Sequence, residues 1–293
     1  MSRKRCEKSV LLMSPSCSES TRRGLRVAGL VLALGLLACS PLSIPEEQQL
    51  GRQMSRELRG QLVFVRDPIV VDYIEDLGRE ILDAAGRQPF EYHFYVVEDN
   101  ELNAFAAPAG HVYVNTGTIL AARNASELAG VIAHEIGHVA YRHVANNYNR
   151  QRNTGIAYQA GVVAAALLGG GLGASAAQLG GGLAATVYLN QFGREAEMQA
   201  DAFAVAAMPR ANWDPNGLVS FFQTLQAQGG PNVPTFLSSH PATQERIDAA
   251  NTRIAELSPG GSLRTDDGGK LAIIQRRIEI LTGSSRPKPK PQY

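Results

Sequence analysis

One segment, His134-Glu135-Ile136-Gly137-His138, constrains the fold more than any other feature of this chain. On an α-helix, residues four apart lie on one face, so both imidazoles can bind a single tetrahedral zinc ion. Glu135 lies next to them, where its carboxylate can hold a metal-bound water. The preceding apolar residues 128–133 also favour a helix. A buried helix with two surface-facing histidines is the alternative, and the flanking sequence has to decide between them.

A second helix, expected near residues 194–208, carries the acidic residues Glu195, Glu197 and Asp201. A catalytic zinc ion bound by two histidines needs a third protein ligand and keeps one open position. Glu197 and Asp201 share a helix face, so one carboxylate can bind the metal while the other accepts an imidazole N–H. Glu195 is a competing ligand, and acids at the start of a helix can also be ordinary surface charges.

The combination of His-Glu-x-x-His with the later Glu-x-x-Ala-Asp resembles the zinc metallopeptidase family M48. That family contains the CAAX prenyl endopeptidases, the HtpX membrane proteases and periplasmic beta-barrel assembly-enhancing proteases. The resemblance implies one Zn²⁺ ion per chain, bound by His134, His138 and Glu197. It also implies that Glu135 is the catalytic base and that Asp201 orients a ligand, and it favours Glu197 over Glu195.

The resemblance extends over residues 46–257 and suggests further site residues. The segment 103–106 is similar to the family's strand that lines the cleft, which implies substrate-binding roles for Asn103, Ala104 and Phe105. Residues 239–241 resemble the family's His-Pro segment. His240 then either stabilises the developing oxyanion as a catalytic residue or covers the zinc and holds the enzyme latent. Arg246 contacts substrate, pairs with a carboxylate near the site, or forms a structural salt bridge.

We expect an α+β fold that is mainly helical, a zincin-like (gluzincin) metallopeptidase domain with a small β-sheet. Apolar periodicity and capping residues predict helices at 46–61, 68–85, from Asn124 onward, and near 194–208, 215–228 and 241–257, with an apolar segment at 271–281. Alternation predicts a strand at 91–98, with extended segments at 105–108 and 111–115. His111 and His143 lack support as site residues, and His143 is expected at the surface.

The amino terminus has the pattern of a lipoprotein leader. Basic residues precede an uncharged run at 27–38, which has the length of a signal-peptide core and is too short for an ordinary membrane span. The segment 36–39 resembles the bacterial lipobox, in which the cysteine carries the lipid. We therefore expect a signal peptide at 1–38, a linker at 39–45, the metallopeptidase domain at 46–283 and a disordered Pro/Lys tail at 284–293. A plain signal peptide or an uncleaved anchor is the alternative.

These features place the protein in the periplasm of a Gram-negative bacterium, anchored through Cys39 to the outer membrane. The other two cysteines, Cys6 and Cys17, lie in the leader, so the mature body has no disulfide. A net charge of +1 argues against a nucleic-acid partner. Residues 153–193 contain no charged side chain. The sequence leaves three interpretations of this segment open. It is expected to form buried or partly disordered helices beside the site, to contact a membrane surface, or to form a membrane span that glycine clusters would interrupt.

The function expected is a zinc-dependent endopeptidase that hydrolyses unfolded or misassembled envelope proteins. Contact with the outer-membrane assembly machinery is an accompanying expectation. The main alternative is a chaperone-like assembly factor with latent protease activity, and a less favoured one is a membrane-embedded protease.

Overall fold

The computed structural model describes residues 41–153, 192–228, 235–257 and 262–283. Residues 41–151 and the described residues from 192 onward belong to one compact unit. The expected leader with Cys39, residues 154–191 of the uncharged segment and the Pro/Lys tail lie outside the described residues. No helix in the described ranges is both long enough and apolar enough to cross a bilayer.

Two amphipathic helices come first, α1 at Ile44–Gln61 and α2 at Pro68–Ala85. The backbone N–H of Ser43 donates to the Glu46 carboxylate at 2.8 Å, and this capping interaction starts α1 two residues before the predicted bound. Asp67 accepts a hydrogen bond from the Val70 N–H at the start of α2, and Gly86, with φ of 85°, ends it. The bounds of α2 therefore agree with the prediction of 68–85.

A three-stranded sheet follows, with β1 at His93–Val97, β2 at Ala104–Ala107 and β3 at His111–Asn115. The strand order is β1-β3-β2, with β1 parallel and β2 antiparallel to β3. A tight turn joins β2 to β3, and at Gly110 a Cβ atom would lie 2.0 Å from the Glu91 carbonyl oxygen. Only glycine allows this approach, and Gly110 also has a positive φ of 96°.

The sheet leads into α3 at Thr116–Ala121 and then into α4 at Ala125–Ala140. The Asn124 side chain accepts a hydrogen bond from the Glu127 N–H, so the predicted helix start is confirmed. Every α4 residue from Ala125 to Val139 is buried. Helix α4 thus packs on all sides and forms the centre of the unit.

Five helices complete the described fold: α5 at Arg194–Arg210, α6 at Asn216–Gln228, α7 at Thr235–Ser239, α8 at Gln244–Glu256 and α9 at Lys270–Thr282. The α+β, mainly helical prediction is confirmed. The short helices α3 and α7 were not predicted, because five or six residues are too few to show helical periodicity. Helix α8 begins later than expected, since Thr243 caps it by accepting from the Arg246 N–H.

Close packing of α4 on its neighbours depends on two glycines. A Cβ atom at Gly137 would lie 3.0 Å from the Ala200 Cα atom of α5, and one at Gly130 would lie 2.8 Å from the Leu218 Cα atom of α6. Such distances bring the helix backbones nearly into contact. The acidic residues of α5 can therefore reach the histidines of α4.

The turn after α4 connects this helix to the start of the described chain. Arg142 adopts a positive φ of 58°, and its Nε atom donates to the Glu47 carboxylate at 2.6 Å. A second guanidinium nitrogen donates to the Leu42 carbonyl oxygen. Glu47 is buried, which raises the pKa of its carboxyl group, while the Arg142 hydrogen bond opposes that rise.

Gly130→Ala should lower the free energy of unfolding by roughly 1–3 kcal/mol, because its new methyl group meets backbone that must shift. Gly60→Ala is the matched control: in the described part of the molecule, no atom outside its own helix backbone and chain neighbours lies within 4 Å of the new Cβ position on α1. That control should raise the stability by up to about 1 kcal/mol, since alanine favours helix over glycine. Denaturant-induced unfolding followed by circular dichroism measures both, and equal stabilities would contradict the packing described here.

Candidate metal centre

Four buried side chains converge on one point between helices α4, α5 and α7. They are His134, His138, Glu197 and His240, and one ligand atom from each lies within 4.8 Å of all the others. The two α4 histidines are one helical turn apart, as the motif predicts. Glu197 comes from the first turn of α5, and His240 directly follows α7.

The distances within this cluster suit a tetrahedral zinc ion. Zinc bonds of 2.0–2.1 Å separate tetrahedral ligand atoms by about 3.3–3.4 Å. The Nε2 atoms of His134 and His138 are 3.0 Å apart, and each lies 3.4 Å from a Glu197 carboxylate oxygen. The Nδ1 atom of His240 lies 3.3 Å from His134 Nε2 and 3.0 Å from Glu197 Oε1. Four lone pairs thus face a volume of the size that one zinc ion fills.

The charges around the cluster also favour a bound divalent cation. Three buried carboxylates, those of Glu135, Glu197 and Asp201, surround the cluster, and Arg246 is the one guanidinium among the described residues that pairs with them. With neutral histidines this set has an excess of two negative charges, which a divalent cation neutralises. Burial lowers the pKa of His134, but its hydrogen bonds to Asp201 and Glu197 outweigh burial and raise that pKa to about 9. A bound cation takes the place of the proton held there.

Asp201 and Arg246 orient the ligands from behind. His134 Nδ1 lies 2.9 Å from Asp201 Oδ1, which leaves the other ring nitrogen facing the cluster. The guanidinium of Arg246 donates to both Asp201 oxygens at 2.7 Å and lies 2.6 Å from Glu197 Oε2. Burial raises the pKa of Asp201, but the Arg246 and His134 hydrogen bonds hold it below its usual range.

His143 is buried, so its expected surface position was wrong. Its Nδ1 atom lies 2.9 Å from Nδ1 of His138, and its Nε2 atom lies 3.0 Å from the Gln199 side-chain oxygen. Gln199 thus contacts His143, and His143 contacts the ring of His138. These contacts fix the ring of His138, as the contact with Asp201 fixes the ring of His134. The spacing of five residues hid this contact, because the turn at Arg142 redirects the chain after α4.

Glu135 is completely buried beside the cluster. Neither of its carboxylate oxygens has a hydrogen-bond partner within the described part of the chain, and His240 Nε2 is 3.6 Å away. Burial raises the pKa of Glu135. A buried carboxylate of this kind is suited to accept a proton from a bound molecule.

His240 faces both of these groups. Its Nδ1 atom lies against the ligand cluster while Nε2 is directed toward Glu135. Its ring stacks on Phe236, with centroids 4.7 Å apart, and its backbone N–H donates to the Phe236 carbonyl oxygen at 2.7 Å. The histidine is therefore held in place as a fourth ligand candidate.

The predicted substrate-binding residues are buried in this structure. Asn103, Ala104 and Phe105 lie at or on β2, and the Asn103 side-chain amide has no hydrogen-bond partner in the described ranges. Arg246 pairs with carboxylates near the site, which is one of the roles left open for it. Substrate contact by these residues stays a prediction. Glu195 is exposed and outside the cluster, so the structure brings together only the Glu197 alternative.

The chain is similar to known metallopeptidases. Residues 68–254 match the family model described as Peptidase family M48. Beta-barrel assembly-enhancing protease of Escherichia coli (strain K12) is 32% identical over 233 residues, which cover 77% of this chain and 47% of that protein. Metalloprotease LoiP of the same strain is 29% identical over 168 residues, covering 57% and 64%. Mitochondrial metalloendopeptidase OMA1 of Schizosaccharomyces pombe is 28% identical over 182 residues, covering 60% and 50%. The chain spans about half the length of the first of these relatives.

Glu197→Ala should remove most of the bound zinc and lower stability, because two imidazoles and Arg246 would stay buried around an incomplete site. Glu195→Ala, two residues earlier on α5, is the matched control and should keep one zinc per chain. Metal content after dialysis against a weak chelator measures the difference. Full zinc occupancy in Glu197→Ala would identify another residue as the third protein ligand.

Proposed function

Because the chain belongs to peptidase family M48, whose members are zinc metallopeptidases, we propose that it is a zinc-dependent endopeptidase. The single observation that supports this most strongly is the convergence of His134, His138 and Glu197 beside Glu135, whose carboxylate accepts no hydrogen bond from any described residue. Three ligands and a buried base are the parts that metal-assisted peptide hydrolysis requires.

A zinc ion at this site would polarise the scissile carbonyl and lower the pKa of a neighbouring water molecule. Glu135 accepts the proton of the attacking water and delivers it to the leaving amine. Its raised pKa brings the carboxyl group closer to the working pH, so that it can act first as base and then as acid. Asp201 and His143 hold the two α4 histidines in the orientation that the reaction needs.

With zinc bound in this conformation, His240 would hold the enzyme in a latent state. Its Nδ1 atom lies beside Glu197 and would be a fourth ligand, while its Nε2 atom faces Glu135, so one ring would block both groups that a water molecule contacts. A zinc ion with four protein ligands has no open position for water. Activity would then require His240 to leave this position.

The proposed substrates are unfolded or misassembled envelope proteins. Strand β2 lies at an edge of the sheet, and its residues are buried in the conformation described. Once uncovered, an edge strand can bind an extended peptide through main-chain hydrogen bonds with little sequence preference. Such binding requires a locally unfolded target. The relative named beta-barrel assembly-enhancing protease supports an envelope location, with the lipid anchor at Cys39 and contact with outer-membrane assembly machinery as parts of the same proposal.

A chaperone-like assembly factor with latent protease activity is the second candidate. The position of His240 favours it, because a closed site can bind client proteins without cleaving them. The two candidates differ in whether clients are cut once His240 is removed.

Glu135→Gln should keep its zinc and lose hydrolysis, because the amide preserves the shape of the side chain but cannot accept the proton of water. Cleavage of unfolded casein, with zinc content measured on the same sample, tests this. Glu195→Gln is the matched control on the exposed side of α5 and should cleave at the rate of the unmodified protein. Unreduced turnover in Glu135→Gln would remove Glu135 from the mechanism.

His240→Ala should raise the cleavage rate or provoke self-cleavage, because it frees the fourth ligand position and the face of Glu135. Were His240 a donor to the developing oxyanion, the same change would instead lower turnover by roughly 10²- to 10³-fold. Ser239→Ala, at the residue before His240, controls for disturbance of this part of the chain. It should change neither the cleavage rate nor the extent of self-cleavage. Steady-state kinetics on an unfolded substrate distinguish these outcomes, and an unchanged rate in His240→Ala would reject both roles.

A further inference from the structure

A pocket separate from the metal centre lies between helix α1 and the face of strands β1 and β3. It has a volume of about 290 Å³ and is lined by Arg52, Ser55, Arg56, Arg59, His93, Tyr95 and His111. None of these residues belongs to the metal cluster or to the strand proposed to hold substrate. We refer to it as the arginine pocket.

The arginine pocket has a one-sided charge. Three arginines at positions 52, 56 and 59 share one face of α1, and no carboxylate of the residues that the structure describes lines the pocket. No ion pair among the described residues includes Arg52, Arg56 or Arg59. Other arginines do have carboxylate partners: Arg79 pairs with Glu75, Arg123 with Glu127 and Arg277 with Asp67. Like charges one turn apart on a helix repel, and a bound anion would relieve that repulsion.

A chain of hydrogen bonds fixes the floor of the arginine pocket. The Arg59 guanidinium donates to the Tyr95 hydroxyl oxygen at 3.2 Å, and that oxygen lies 3.1 Å from His111 Nδ1. A guanidinium only donates, so the Tyr95 oxygen accepts from Arg59 and its contact with His111 Nδ1 continues the chain. Burial, then the nearby His93, Arg59 and Arg52, lower the pKa of His111 to about 4, so its ring is neutral at neutral pH.

The Ser55 hydroxyl adds a buried polar group to the arginine pocket. Ser55 is only 3% exposed and lines the pocket, and its hydroxyl interacts with that of Tyr113. A hydroxyl has one proton and two lone pairs and can rotate about its C–O bond. Ser55 can therefore also donate its proton to an oxygen of an anion bound beside the arginines.

We propose that the arginine pocket binds a phosphate group. Guanidinium groups recognise oxyanions through paired N–H donors, and a tetrahedral phosphate has enough oxygens for several arginines and a hydroxyl at once. A carboxylate has only two oxygens and one charge, so it would leave part of the pocket unsatisfied. The phosphate is either free or carried by a lipid headgroup, and both sources present the same recognised group.

Calorimetric titration of the full-length protein with inorganic phosphate, in chloride buffer at pH 7, tests the proposal. We expect saturable binding of one phosphate per chain. Arg56→Gln should weaken it by roughly 10- to 150-fold, the loss of one charged hydrogen bond. Ser55→Ala should weaken it by roughly 2- to 12-fold without any change of charge. Arg66→Gln, an exposed arginine just after α1 and outside the pocket, is the control and should bind as the unmodified protein does.

Stability in the absence of phosphate separates a binding site from a structural role. Arg56→Gln should melt at the same temperature as the unmodified protein or higher, because it relieves repulsion on α1. A lower melting temperature, absence of saturable binding, or equal losses in Arg56→Gln and Arg66→Gln would overturn the proposal.

Water-soluble dibutyryl phosphatidic acid identifies the source of the phosphate. Binding at least tenfold tighter than that of inorganic phosphate, and lost in Arg56→Gln, assigns the pocket to a lipid headgroup. Equal affinities, likewise lost in Arg56→Gln, assign it to the phosphate group alone. Binding of either probe that survives in Arg52→Gln, Arg56→Gln and Arg59→Gln places the anion elsewhere and contradicts the inference.

Discussion

The pairing of Arg246 with Glu197 and Asp201 is the interaction on which the metal centre depends. It connects α8 to α5, and through the contact of Asp201 with His134 it extends to α4. Removing one partner of a buried ion pair typically costs about 3–5 kcal/mol, because the remaining charge stays in a medium that solvates it poorly. Three separate helices are thus held at the spacing that one small cation requires.

The close approach of α4 and α5 makes that pairing possible. Gly137 lies within the motif itself, where a Cβ atom would lie 3.0 Å from the Ala200 Cα atom of α5. Any side chain there would move Glu197 and Asp201 away from His134. The motif therefore encodes two things at once, the ligands of the metal and the distance to the helix that completes the site.

Local sequence was sufficient for much of this molecule. Apolar periodicity and caps located α2 to the residue, and the motif with Glu197 and Asp201 located the core of the cluster. Contacts that depend on tertiary geometry were not accessible in this way. His143 reaches His138 only because the chain turns at Arg142, and the arginine pocket joins α1 to two strands far along the chain. The spacing of residues along the sequence does not show how far apart two residues lie on different helices or strands. That distance depends on how these elements pack.

Arg142 also connects the start of the described chain to the metal centre, so that force on one would act on the other. Its guanidinium holds Glu47 and the carbonyl of Leu42 at the start of the described chain, and the next residue, His143, supports a ligand of the metal. Tension applied to the chain before α1 therefore acts first on these hydrogen bonds and then on the turn behind His138. The hydrogen bonds of Arg142 are therefore a mechanical connection between the start of the described chain and a ligand of the metal.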